Sequence, residues 1–103
     1  MYAWEYPING GITAFHCSEL SFCFNNTDRC ETMTGGGARA RALGARVSDA
    51  WLNFARKGDP NHAGLPQWPA FSAEKVPTMI LDDRCQMKND PDGAERRLMD
   101  SLA

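Results

Sequence analysis

Residues 47–61 read VSDAWLNFARKGDPN, and this stretch decides how the chain is organised. It ends a helical pattern predicted from Ala38 to Lys57, with charged residues largely on one face and apolar residues recurring every three or four positions on the other (Leu43, Val47, Ala50, Trp51, Phe54 and Ala55). Gly58 suits the left-handed residue after a last helical turn, and Asp59-Pro60-Asn61 prevents continuation. We expect Trp51, Phe54 and Trp68 to pack as core between this helix and a sheet rather than to line a substrate pocket.

Short apolar segments on both sides of the helix predict strands. Tyr2 to Tyr6 is aromatic and alternating, and Pro7 with Asn9-Gly10-Gly11 ends it. Val76 to Asp82 predicts a second strand, with Pro77 at its start, where a missing backbone donor is tolerated. Cys85 to Lys88 predicts a short third strand segment. One long helix combined with these strands places the chain in the α/β class.

Shorter helices are predicted near both ends of the chain. Ser18 is a candidate cap for a short helix reaching Phe24. Asp90-Pro91 predicts a terminal helix through Leu102, with the aspartate as its cap and the proline in its first turn. The run Gly35-Gly36-Gly37 is interpreted as a flexible entry to the long helix in preference to an anion site at the helix N-terminus.

Composition limits the partners of this protein. At 103 residues the chain forms one domain at most, and a net charge of −2 gives no basic patch for nucleic acid. No apolar stretch approaches the roughly 20 residues that cross a bilayer, and the first residues lack the pattern of a signal peptide. We therefore expect a soluble protein with no nucleic-acid and no membrane partner, and the compartment is not predicted.

The four cysteines leave two readings open. Free, partly buried thiols are favoured, and a Cys30–Cys85 disulfide is the alternative. No C-x-x-C spacing is present, so a structural zinc site is not expected. Cys17 follows His16 directly, but neighbouring side chains rarely adopt the geometry of a Cys-His nucleophile pair.

Four segments, in order along the chain, resemble the type-B carboxylesterases, and most of all their bacterial para-nitrobenzyl-esterase members. They are AFHCSELSFCF (14–24), the stretch 47–61, LPQWPAF (65–71) and TMILD (78–82). The resemblance implies a C-terminal fragment of an α/β-hydrolase fold, with two or three short strands, one long helix and shorter helices. Residues 1–103 would then form a single partial domain, the C-terminal segment of such an enzyme.

The resemblance also assigns roles to two residues. His16 matches the family's catalytic histidine, which takes a proton from a serine and returns it to the leaving alcohol, and Glu19 matches an acidic position with a supporting hydrogen-bonding role. The family carries glycine after the histidine, so Cys17 puts the local backbone geometry in question. No cofactor is implied.

The chain has no G-x-S-x-G nucleophile motif, and the family places its catalytic acid in a portion outside this sequence. We expect hydrolysis of a small carboxylic ester only when an upstream esterase segment completes the site, and an inactive chain alone.

The residues taken without the resemblance support a different reading. A single histidine in a loop is more often structural than catalytic, and His62 is expected to be exposed to solvent. The alternative function is a non-catalytic fold relic or self-associating interaction module. It would form homo-oligomers through an exposed strand edge or a swapped long helix, because an open sheet edge tends to pair.

Overall fold

The computed structural model describes residues 1–7 and 14–103. In chain order the elements are β1 (Tyr2–Trp4), α1 (Leu20–Cys23), a 3₁₀ turn (Thr27–Arg29), α2 (Glu31–Thr34), α3 (Gly37–Lys57), β2 (Pro77–Leu81), β3 (Gln86–Asn89) and α4 (Gly93–Ser101). The described part of the chain thus holds three strands and four α-helices, which confirms the predicted α/β class. The predicted turn at Asn9-Gly10-Gly11 lies outside the described residues.

The three strands form one mixed sheet in the order β1-β2-β3. β1 runs parallel to β2, with Tyr2 opposite Met79 and Trp4 opposite Leu81. β3 is antiparallel to β2. Every residue of β2 is buried, as expected of a central strand covered on both faces. All three strands occur where the sequence predicts them, although β1 ends at Trp4, two residues early.

The helix α3 organises the rest of the fold. It begins one residue before its predicted start and ends where predicted, with Gly58 in the left-handed conformation at φ 72° and its N–H donating to the Phe54 carbonyl over 2.8 Å. Leu43 and Val47 are fully buried on its inner face. Burying a side chain of this kind contributes roughly 1.5–3 kcal/mol, so this face holds α3 against the rest of the core.

An aromatic cluster joins the end of β1 to α1. Phe22 lies 4.7 Å from the Trp4 ring and 4.9 Å from the Tyr6 ring, centroid to centroid. The Tyr6 hydroxyl donates to the Thr34 carbonyl over 3.1 Å. The Arg39 guanidinium carbon lies 4.3 Å from the Tyr6 ring centroid. These contacts fix both flanks of the connection that follows β1.

The predictions for Phe54 and for the start of the last helix were wrong. Phe54 is 60% exposed, whereas Trp68 is buried and Trp51 is partly buried against the core, as predicted. The last helix begins at Gly93, not at Pro91. Asp90 adopts a left-handed φ of 48° and instead pairs through its carboxylate with Arg96, at 2.8 Å, and with Arg97.

The four cysteines are free thiols, so the disulfide alternative is not formed. The three consecutive glycines all have positive φ, and α3 starts at the third of them, as the helix-entry interpretation requires. No helix in the described ranges combines the length and apolarity needed to cross a membrane. Within residues 1–7 and 14–103, no group of three or more His, Cys, Asp or Glu side chains is arranged to hold a metal ion.

Candidate functional site

His16 sits at the corner of a tight turn between β1 and α1. The Ser18 N–H donates to the Phe15 carbonyl over 3.0 Å, which closes a four-residue turn over residues 15–18. In return, the Phe15 N–H donates to the Ser18 hydroxyl oxygen over 3.3 Å. The two hydrogen bonds join the first and last residues of the turn, so the imidazole projects from a constrained backbone.

Cys17 occupies the position of this turn that favours glycine. Its φ is 66°, in the left-handed region. A turn whose third residue has positive φ is of the kind that usually carries glycine at this position, because a Cβ there is sterically unfavourable. The turn therefore has a backbone geometry that favours glycine, with a cysteine in its place.

Ser18 anchors the turn and does not cap the helix that follows. Its side chain is only 3% exposed, and its hydroxyl oxygen points back to Phe15. The residue that precedes α1 is Glu19, which makes no side-chain cap hydrogen bond. The sequence signal for Ser18 was ambiguous because a serine can close a local turn as readily as it can cap a helix.

The two histidines of the chain have opposite environments. His16 is exposed, and its ring has no hydrogen-bond partner among the described residues. The half-buried ring of His62 accepts a hydrogen bond from the Gly64 N–H at Nδ1, over 3.0 Å, and its Nε2 lies 2.9 Å from the Arg46 carbonyl oxygen. Because Nδ1 accepts, Nε2 carries the proton and donates to that carbonyl. His62 is thus a structural residue, not the solvent-exposed side chain that the sequence predicted, and His16 is the histidine available for chemistry.

Glu19 is half-buried and lines a small groove with Tyr2 and Cys23. Burial, reinforced by the Glu19 carboxylate, raises the pKa of Cys23 to about 11 and also raises the pKa of Tyr2. The Glu19 carboxylate has no ion-pair or side-chain hydrogen-bond partner within residues 1–7 and 14–103. His16 and Glu19 are both held at the start of α1, but no hydrogen bond joins their side chains in that part of the chain.

This arrangement can perform one part of a hydrolytic reaction. An exposed imidazole on a constrained turn is a group that can serve as a general base and then as a general acid. It needs a nucleophile to act on, and the sequence has no G-x-S-x-G motif to supply one.

Comparison with known proteins places this geometry among esterases. A sequence profile described as the carboxylesterase family matches residues 1–98. The para-nitrobenzyl esterase of Bacillus subtilis (strain 168) is 35% identical over 86 residues, which make up 82% of this chain and 17% of that protein.

Solved structures agree with this match. An esterase from the anaerobe Clostridium hathewayi, described as able to hydrolyse aliphatic aromatic polyesters, superimposes with a TM-score of 0.80 at 33% identity and covers 99% of this chain and 20% of its own. A thermophilic PNB esterase superimposes with a TM-score of 0.83 at 32% identity, over 94% of this chain and 21% of its own. The expected α/β-hydrolase architecture is thereby confirmed, and the chain spans about a fifth of the length of the relatives it matches.

Proposed function

The chain belongs to the carboxylesterase family, and from this premise we propose that it supplies the acid–base histidine, His16, of a serine-type carboxylic-ester hydrolase. Residues 1–103 act as a single partial domain, which corresponds to the C-terminal segment of the enzyme. The nucleophilic serine and the acid that orients the histidine come from the rest of the family fold. Without that part the chain is inactive, because acid–base chemistry alone does not replace a nucleophile and its oxyanion site.

The observation that carries the proposal is the turn at residues 15–18. A general base must be held in one orientation and still reach the substrate, and His16 meets both conditions because its backbone is closed by two hydrogen bonds while its ring is exposed. In the completed site His16 accepts the proton of the serine hydroxyl during attack on the ester carbonyl. It then donates this proton to the leaving alcohol, and water repeats the cycle on the acyl-enzyme. No cofactor takes part in these steps.

We assign Glu19 a supporting role. Glu19 lies three residues after His16 at the start of α1, and this half-buried residue has no side-chain partner in the described chain. A carboxylate in that state needs a hydrogen-bond donor when the site closes around it. Glu19 therefore receives a hydrogen bond from the rest of the fold and fixes the start of α1, and with it the turn that holds His16.

A chimera tests this proposal. The matching segment of the Bacillus subtilis para-nitrobenzyl esterase is replaced by this chain, and hydrolysis of a para-nitrophenyl ester is measured. We expect His16→Ala to lower kcat by at least about 10⁴-fold, as removal of a triad member does in serine hydrolases.

His62→Ala serves as the matched control, since it removes the other histidine of the chain and should leave kcat within about tenfold of the unmodified chimera. A folded chimera that hydrolyses the ester equally well with and without His16 would refute the assignment.

A second candidate function is a self-associating module without catalysis. Exposed apolar side chains beside β1 favour it, among them Phe24, which is 75% exposed. In this case copies of the chain would pair through the strand edge or exchange α3. Light scattering of the purified chain tests it, and a monomer at all concentrations would exclude it.

A further inference from the structure

We propose that Arg39, on α3, is a positioning residue for His16. Its guanidinium joins the carboxyl ends of the two parallel strands, and it thereby sets where the segment that carries the turn at residues 15–18 leaves the sheet. The inference rests on the proposed function, because it specifies what holds the acid–base histidine in place. Arg39 acts through the backbone that carries His16 and not on the substrate.

Arg39 connects the ends of β1 and β2. Its Nη2 donates to the carbonyl of Pro7, which follows β1, over 3.1 Å. Its Nε and Nη2 donate to the two carboxylate oxygens of Asp83, which follows β2, over 2.7 and 2.6 Å. Because β1 and β2 are parallel, both contacts lie at the same end of the sheet. Open α/β sheets bind their ligands at this end, beyond the carboxyl ends of the strands.

A second set of contacts links Arg39 to the helix that follows the turn. Its guanidinium carbon lies 4.3 Å from the ring centroid of Tyr6, and the Tyr6 ring packs against Phe22 of α1 with centroids 4.9 Å apart. Both aromatic residues are fully buried, so their positions are tightly determined by packing. Arg39 is therefore linked to the chain before the turn, at Pro7, and after it, at α1.

Asp83 is a fixed anchor for the guanidinium. Its backbone carbonyl accepts a hydrogen bond from Arg46 over 3.2 Å, and its N–H donates to the Asp82 carboxylate over 2.6 Å. Pairing with both oxygens of a fixed carboxylate sets the plane of the guanidinium, which a single ammonium group cannot do. With this plane set, the remaining donor of Arg39 meets the Pro7 carbonyl in one defined direction.

The exposure of the pair favours a role in placement over a role in stability. The side chains of Arg39 and Asp83 are 42% and 47% exposed, and exposed ion pairs contribute little to stability. The pair nevertheless joins residues 44 positions apart on separate elements, whereas Asp90 pairs with arginines six and seven positions away. Loss of Arg39 should therefore alter the geometry at the ends of the strands more than the stability of the fold.

Kinetics of the chimera with the Bacillus subtilis para-nitrobenzyl esterase test the inference. We expect Arg39→Ala to lower kcat at least about tenfold and to change KM less than about twofold, because misplacing a reacting group by about 1 Å can cost about 10²-fold in rate. Arg39→Lys keeps the charge but cannot reach Asp83 and Pro7 together, so it should show most of the same loss.

Arg96→Ala is the matched control. Arg96 is 48% exposed and pairs with the Asp90 carboxylate at 2.8 Å, much like Arg39 with Asp83, but it lies on α4. Its replacement should leave kcat within about twofold of the unmodified chimera.

NMR relaxation of the purified 103-residue chain gives a readout that does not depend on activity. The backbone N–H order parameters of residues 15–18 should be about 0.85 in the unmodified chain, fall below about 0.6 in Arg39→Ala and stay unchanged in Arg96→Ala. Circular dichroism checks that each variant folds.

Unchanged order parameters in Arg39→Ala would overturn the inference. Equal losses of kcat in Arg39→Ala and Arg96→Ala would also overturn it, and so would full kcat in Arg39→Lys. Loss of order at residues 15–18 in Arg39→Ala, combined with a chimera whose activity does not depend on His16, would support the positioning role and refute the proposed function.

Discussion

Replacement of Cys17 by glycine should stabilise the protein. The residue has a φ of 66°, and the left-handed conformation costs a non-glycine residue about 1–2 kcal/mol. Glycine avoids this cost, but it also lowers the stability of the fold by roughly 0.4–1 kcal/mol, because it gives the unfolded chain more conformational entropy. The difference leaves a net gain of about 0.5–1 kcal/mol, which corresponds to a rise in Tm of about 2–6 °C for a domain of this size.

Urea unfolding followed by far-ultraviolet circular dichroism measures this gain. Cys17→Ala is the decisive control, because it removes the thiol and keeps the unfavourable Cβ, so it should show no stabilisation. Asn25→Gly provides a second comparison, since Asn25 is also left-handed, at φ 52°, but asparagine tolerates this region well and little gain is expected. If Cys17→Gly is no more stable than Cys17→Ala, the left-handed backbone at Cys17 does not lower the stability of this fold.

Two further predictions concern His62 and Cys23. His62→Ala removes the hydrogen bond to the Arg46 carbonyl and the one from the Gly64 N–H. We expect it to lower the free energy of unfolding, measured in urea, by about 1–2 kcal/mol. An unchanged unfolding midpoint would contradict the structural role of this ring. The Cys23 thiol has a pKa of about 11 in the folded protein against an ordinary value of 9.0, so the folded state holds its proton more firmly and stability should fall as pH rises from about 9 to about 11. Cys23→Ala should lessen this decline, and a decline of the same size in that variant would assign it to other groups.

The parts of the fold that could be predicted from sequence depend on local patterns. The spacing of apolar residues located α3, and Gly58 with Pro60 located its end, because these signals act within a few residues of one another. The strand positions followed in the same way. The start of α4 could not be predicted in this way, because Asp90 can either cap a helix or adopt a left-handed φ. In the structure it adopts the left-handed φ and forms ion pairs with Arg96 and Arg97. Ser18 presented the same ambiguity at the candidate site.

Phe54 shows a different reason for disagreement between sequence and structure. It follows the same helical spacing as Leu43 and Val47, which are buried, yet 60% of its surface is exposed. Apolar residues at helical spacing predict a buried face, but within the described chain only part of that face of α3 is covered. The prediction that Phe54 is buried is therefore wrong for this chain. At His16, likewise, the turn is complete, and the sequence has no G-x-S-x-G motif to accompany it. Amide hydrogen exchange tests whether the free edge of β1 pairs in solution, since association through that edge should slow exchange at Tyr2–Trp4 and leave the polar edge at Gln86–Asn89 unchanged.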